Sequence, residues 1–206
     1  ILAFSIPLGI FTARHAGGRL DRAMTAVNQV LMAIPAFVTG ILLTYVFGLV
    51  LRLFVPGNYV SPGDNFGASL WYFLFPAVSI ALPRVAMTVK MLRSSILSEL
   101  QKDYVRTSHS RGNGDRSTLY RHVLRNAMGP VVSFLAMTVA DIVAGSVVIE
   151  QVFSLPGLGR MLLTSIANRD YPVVQAVVVI VAFWVVLVNL LADLINQRLD
   201  PRLRLT

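Results

Sequence analysis

Residues 171–192 read YPVVQAVVVIVAFWVVLVNLLA, twenty-two positions without a charge. Valine dominates the run, and a Val-rich run in a soluble protein would suit a buried strand. Its length decides otherwise: about 20 apolar residues are needed to cross a bilayer as a helix, and strands are far shorter. Trp184 favours the membrane as well, because its amphipathic ring suits a lipid environment. The rest of the chain agrees. It has 206 residues, 55% hydrophobic and 14% charged, with a mean hydropathy of +0.68; a soluble domain carries about 25% charged residues.

Further spans follow outward from this one. Residues 23–51 (AMTAVNQVLMAIPAFVTGILLTYVFGLVL) are uncharged. As one helix they would measure about 43 Å against a hydrocarbon core of about 30 Å, so the segment overhangs, tilts or bends at Pro35. A span is expected over 70–92, with Arg84 and Lys90 in its later half, and another over 126–149, interrupted by Asp141. Residues 1–12 are apolar but too short to cross, and are read as the end of a helix that begins earlier; no basic leader precedes them and no cleavage site follows.

Lysine and arginine mark the cytoplasmic side. Residues 13–22 hold three, 90–125 hold eight and the C-terminal segment holds three, whereas 53–69 hold none and 150–170 hold two. The alternation places the three basic segments and the C-terminus in the cytoplasm. It also accounts for the net charge of +8 by topology, so nucleic acid is not an expected partner. In the outer segment 150–172, Leu158, Leu162 and Ile166 recur at helical spacing, predicting a short interfacial helix with that face buried.

Several chemistries are excluded. The chain has no cysteine, and its histidines, His15, His109 and His122, all lie in cytoplasmic segments. That leaves no Ser–His pair within a span. No phosphate-binding P-loop or HExxH is present. GNGD (112–115) resembles the GxGD of intramembrane aspartyl proteases but lies in the most polar part of the chain, where a turn with Asp115 capping the next helix is the expectation. PGLG (156–159) is a turn signal.

The cytoplasmic middle, DYVRTSHSRGNGDRSTLYRHVLRNA (103–127), reads as a helix over 94–111 continuing from the second span. Ile96, Leu97, Leu100, Tyr104 and Val105 form its apolar face, and Gly112 stops it. A second amphipathic piece, 117–127, carries Leu119, Val123 and Ala127 on one face.

DYVRTSHSRG followed by RHVLRNA resembles the cytoplasmic loop of bacterial ABC-importer permeases, above all the dipeptide/oligopeptide and nickel uptake family. The general permease loop, E-A-A-x-x-x-G, aligns with Arg106, Thr107, Ser108 and Gly112, and only the glycine and the later Leu124 match it. The peptide-permease form matches closely. IPAFVTGILL (34–43), VIEQVFSLPGLGRMLL (148–163), NRDYPVVQ (168–175) and DPRLR (200–204) lie where that family places them. The resemblance implies an all-α, polytopic type I ABC importer transmembrane domain over 1–206, lacking the first of six helices. It implies a bacterial inner-membrane location, a second permease subunit, two cytoplasmic ATPases that hold ATP and magnesium, and an extracytoplasmic substrate-binding protein. This chain itself would bind no cofactor and catalyse no bond chemistry. Within 103–112 the coupling segment would comprise Asp103, Tyr104, Arg106, Thr107, Ser108, Arg111 and Gly112: the arginines for acidic groups on the ATPase, Tyr104 for packing into it, and Gly112 in a conformation with positive φ.

Polar residues within spans are candidates for the translocation path. Asp141 and Arg84 are either path residues or interhelical partners, and Glu150 at the outer end of its span is either an anchor or a gate contact. The alternative class is a stand-alone channel or secondary transporter with Asp141 as its ion or proton site.

Overall fold

The structure, a computed structural model, describes the backbone of residues 1–199 and their side chains apart from those at 140, 143, 144, 192 and 196–199. The DPRLR element (200–204) lies outside the described residues. Every regular element described is helical: α1 (Leu2–Arg14), α2 (Arg19–Ala33), α3 (Ala36–Leu43), α4 (Phe66–Leu100), α5 (Asp103–Ser110), α6 (Asp115–Thr118), α7 (Leu124–Val152), α8 (Leu158–Ala167) and α9 (Tyr171–Leu199). Two stretches, Thr44–Val50 after α3 and Leu119–Val123 before α7, wind more widely, as π-helix. Phe66–Leu100 and Tyr171–Ile195 are long and apolar enough to cross a membrane, and Arg19–Ala33 with Ala36–Val50 counts as a third, bent span.

The single helix expected over 23–51 is therefore broken. Ile34 and Pro35 separate α2 from α3, and Pro35 is extended at φ −60°, ψ 143°; proline removes a backbone donor and clashes with the preceding turn. Pro76 and Pro83, by contrast, sit inside α4 without ending it.

The chain forms two compact units. The first comprises residues 1–31, 84–139 and the C-terminal segment from 187. Its core joins Ile10 and Ala13 of α1, Leu92 and Ile96 of α4, Val105 of α5, Leu119 and Val123 of the wide turn, and Ala127 and Val131 of α7. Leu119, Val123 and Ala127 face inward together, as their spacing predicts. Gly9 allows the close approach of α1 and α4, since a Cβ there would meet Leu92 Cδ2 at 2.8 Å.

The second unit, residues 32–83 and 140–186, is organised by aromatic rings. Phe54, Tyr72, Phe75 and Phe153 are buried together. Phe54 stacks on Phe75 at 4.2 Å between centroids and meets Tyr72 edge-on at 5.7 Å, arrangements that ring quadrupoles favour. The loop after α3 is pinned by its backbone: Trp71 Nε1 donates to Leu53 O (2.9 Å), Gly57 N–H donates to Tyr72 Oη (3.1 Å), and Tyr72 Oη donates to Phe153 O (2.5 Å). The loop, without lysine or arginine over 53–65, is thus held by rings and carbonyls.

Candidate functional site

The polar segment between α4 and α7 is built around a break. The helix expected over 94–111 stops at Leu100 and restarts at Asp103, with Lys102 extended between them at ψ 150°. The break is stabilised locally. Glu99 accepts from Lys102 Nζ (2.5 Å) and from Tyr104 Oη (2.8 Å), which bridges the two helices. Tyr104 is accordingly turned inward against the core of the first unit rather than outward as anticipated, and burial raises its phenol pKa.

On α5 the faces separate cleanly. Val105 and Ser108 are buried, whereas Asp103, Arg106, Thr107 and Ser110 are exposed at i, i+3, i+4 and i+7, one stripe of the helix. Ser108 is a fastening point, not a contact surface: its Oγ lies 3.0 Å from Thr118 Oγ1 and accepts from Asn113 Nδ2 at 3.2 Å. These bonds tie the end of α5 to the end of α6. Arg111 and Gly112 remain exposed. Gly112 adopts φ +81°, and its N–H donates to His109 O at 2.9 Å, so the expected left-handed stop is present. Asp115 does not cap α6: Gly114 occupies that position and Asp115 is the first helical residue, its carboxylate 3.1 Å from His109 Nε2.

At the other end of α7, Glu150 has a defined task. Its Oε1 accepts from Ser146 Oγ (3.1 Å) and its Oε2 from the backbone N–H of Arg160 (2.9 Å). Arg160 lies in the first turn of α8, whose amides lack partners within the helix, so the carboxylate caps α8 and complements its dipole. PGLG is more than a turn. A Cβ on Gly159 would stand 2.6 Å from Val147 Cα, so this glycine lets α8 pack backbone-close on α7. The buried face of α8 is formed by Gly159 and Ser165 with half-buried Leu162, while Leu158 and Ile166 are exposed. The contact with α7 is made by the small residue Gly159, because close packing needs room that leucine and isoleucine would fill, and Leu158 and Ile166 stay on the exposed apolar side.

Arg84 is half-buried in α4 and Asp141 is exposed on α7. One charged link, between Asp21 and Arg93, escaped the sequence analysis. Asp21 at the start of α2 is buried, and Arg93 in α4 grips it side-on, Nε to Oδ1 and Nη2 to Oδ2, both at 2.7 Å. Gly17, at φ +79°, donates its N–H to Oδ2 at 2.9 Å. The hydrogen bonds from Arg93, followed by that from Gly17, hold the Asp21 carboxyl below its ordinary pKa. Arg93 had served only as one basic residue among eight, and a lone acid in a basic segment carried no motif.

Comparison with known proteins places this geometry. Residues 5–205 match the binding-protein-dependent transport system inner membrane component family. The chain belongs to that family. It is 34% identical over 201 residues to a probable peptide ABC transporter permease protein of Sinorhizobium fredii, covering 97% of this chain and 64% of that protein. An oligopeptide transport system permease protein of Bacillus subtilis is 34% identical, with 98% and 65% covered. A nickel import system permease protein of Staphylococcus aureus is 33% identical, with 99% and 58% covered. The chain thus spans somewhat under two thirds of the length of these relatives, in register with them nearly end to end.

Proposed function

We propose that the chain forms part of the membrane-spanning permease subunit of an ATP-driven importer, and that the solute is a peptide. The reading is carried by the ordered match, across nearly the whole chain, to permeases named for peptide and oligopeptide transport. In this reading α5 is the coupling helix. Its exposed stripe of Asp103, Arg106, Thr107 and Ser110, with Arg111 and Gly112 beyond, enters a cleft of a cytoplasmic ATPase, while Val105 and Ser108 fix the helix to its own unit. ATP and magnesium sit on the ATPases, and this chain converts their closure into alternating access. A second permease subunit and an extracytoplasmic binding protein complete the importer, with basic segments 13–22, 94–125 and 197–206 in the cytoplasm.

The test is reconstitution. The full-length subunit, co-expressed with a partner permease, ATPases and binding protein from the same organism, is placed in liposomes. Uptake of a labelled di- and oligopeptide mixture is then measured with and without ATP. ATP-dependent peptide uptake supports the reading. Uptake by the subunit alone, driven by an ion gradient, would establish the stand-alone transporter with Asp141 as its ion site; uptake of nickel but not peptide would move the solute class.

A further inference from the structure

We propose that the Asp21–Arg93 pair is a mechanical link that carries movement of the α4–α5 arm to α2, which makes both residues positioning residues of the transport cycle. The inference rests on the reading of α5 as the segment gripped by an ATPase. Three observations carry it. First, α2 buries only two residues fully, Asp21 and Asn28, while Leu20, Val27 and Val30 are exposed and Met24 and Leu31 are half-buried. Its hydrogen-bonded attachment to α4 is made at Asp21. Secondly, Asp21 is 3% exposed, the one charged residue among the described residues to be buried to this degree. A buried carboxylate is costly unless its lone pairs are satisfied, and here a bidentate guanidinium and the Gly17 amide satisfy both oxygens. Thirdly, the grip is placed on the lever. Arg93 lies in the last turns of α4 before the break at 101–102, beside Leu92 and Ile96 of the core that also holds Val105 of α5.

The geometry matters for force. An apolar contact resists compression but slides, whereas two parallel charge-assisted hydrogen bonds fix direction and orientation together. Lysine cannot reproduce that fork. Displacement of α5 moves the C-terminal part of α4, and Arg93 draws Asp21 with it. From there α2 leads directly along the chain to the break at Pro35.

The experiment uses the complete importer in liposomes and reads solute transported per ATP hydrolysed, per assembled complex. The variants are Asp21→Asn, Arg93→Lys, and an apolar double, Asp21→Leu with Arg93→Met, which keeps the site filled without a buried charge. The proposal expects at least one single variant and the double to assemble, with ATPase activity retained and transport per ATP reduced at least threefold. An unchanged ratio in assembled variants overturns it. So does a defect confined to the amount assembled, or failure of all three to assemble, since either makes the pair structural glue. A wild-type complex without ATP-dependent uptake would instead overturn the underlying reading of the chain.

Discussion

The carboxylate of Glu150 occupies the space into which a side chain on Gly157 would project, well inside van der Waals contact. The two positions are seven residues apart, one closing α7 and the other opening α8, and each requires the other. Glu150 can reach the Arg160 amide only because residue 157 has no Cβ. Gly157→Ala must therefore expel the carboxylate, and Glu150→Ala removes it, with the same consequence of a first turn of α8 left uncapped. Losing such a cap costs about 1 kcal/mol. Hydrogen exchange of the α8 amides, Arg160 in particular, should quicken several-fold in both variants and much less in Glu150→Gln, which retains an acceptor. Equal protection in Glu150→Ala and the wild type would show that the cap is dispensable.

The second prediction concerns topology. Asn58 lies in the stretch 53–65, which holds no lysine or arginine, Asn113 lies in the basic segment between α4 and α7, and both are exposed. Single cysteines at these positions should react with a membrane-impermeant maleimide from opposite faces of oriented vesicles, Asn113 from the cytoplasmic face. Labelling from one face would break the orientation drawn from fourteen basic residues against two.

Much of the fold could be read directly because it depends on periodicity and length. The uncharged run over 171–192 announced α9, and Leu119, Val123 and Ala127 announced an inward face. What stayed hidden depends on single contacts between distant residues. The helix break at 101–102 is held by Glu99 with Lys102 and Tyr104, three polar residues that look like an ordinary solvated helix face. The inward turn of Ser108 needs Thr118 opposite it, and Asp21 acquires meaning only when Arg93, seventy-two positions away, meets it. On α8 the spacing marked the apolar side, and what it did not show is that the closest packing on α7 goes to Gly159. Of the candidate site, the segment and its glycine stop were legible, and the sorting of its side chains into inward and outward was not.

The Asp21–Arg93 pair also sets an acid limit. Because the fold holds the Asp21 carboxyl below its ordinary pKa, the stabilisation is fully present above the usual carboxylate value of about 4 and fades as pH falls through the lower folded value. An arginine guanidinium stays charged throughout this range. Between pH 6 and 8 the pair should contribute no pH dependence. In thermal unfolding of the detergent-purified subunit, Asp21→Asn should lower stability by about 2 kcal/mol at pH 7. The gap between the variant and the wild type should narrow as pH falls below about 4. A gap that keeps its size on acidification would mean that the carboxylate charge is not what the fold stabilises.

Asp141 separates a path role from a packing role. It is exposed on α7, and a carboxylate within a span is costly unless hydrated or paired. Asp141→Asn keeps shape and hydrogen-bonding capacity but loses charge. If the residue lines the path, peptide uptake should change several-fold while the amount of assembled complex is unaltered. If it joins helices, assembly should fall instead. Wild-type uptake and assembly in Asp141→Leu would dismiss both roles.

Gly112 offers the sharpest distinction between space and backbone conformation. Nothing lies within 4 Å of where its Cβ would stand, so a side chain has room. Its φ of +81° is the obstacle, because a Cβ in the left-handed region costs about 1–2 kcal/mol, except for asparagine, which visits it readily. The effect of substitution should therefore follow conformation rather than size. Gly112→Asn should bind the ATPase nearly as the wild type does, Gly112→Ala should be weakened by about 1 kcal/mol, and β-branched Gly112→Val should be weakest although all three reach the membrane. The mechanism is geometric: without the left-handed turn, Asn113 cannot return to donate to Ser108, and the end of α5 loses its tie to Thr118. Co-purification of ATPase with each variant, together with cross-linking from cysteines at Arg106 or Ser110 on the exposed stripe, measures the order. A ranking by volume, with Asn worse than Ala, would place the sensitivity in a crowded interface and not in the turn. Indifference to all three would remove α5 from the coupling role.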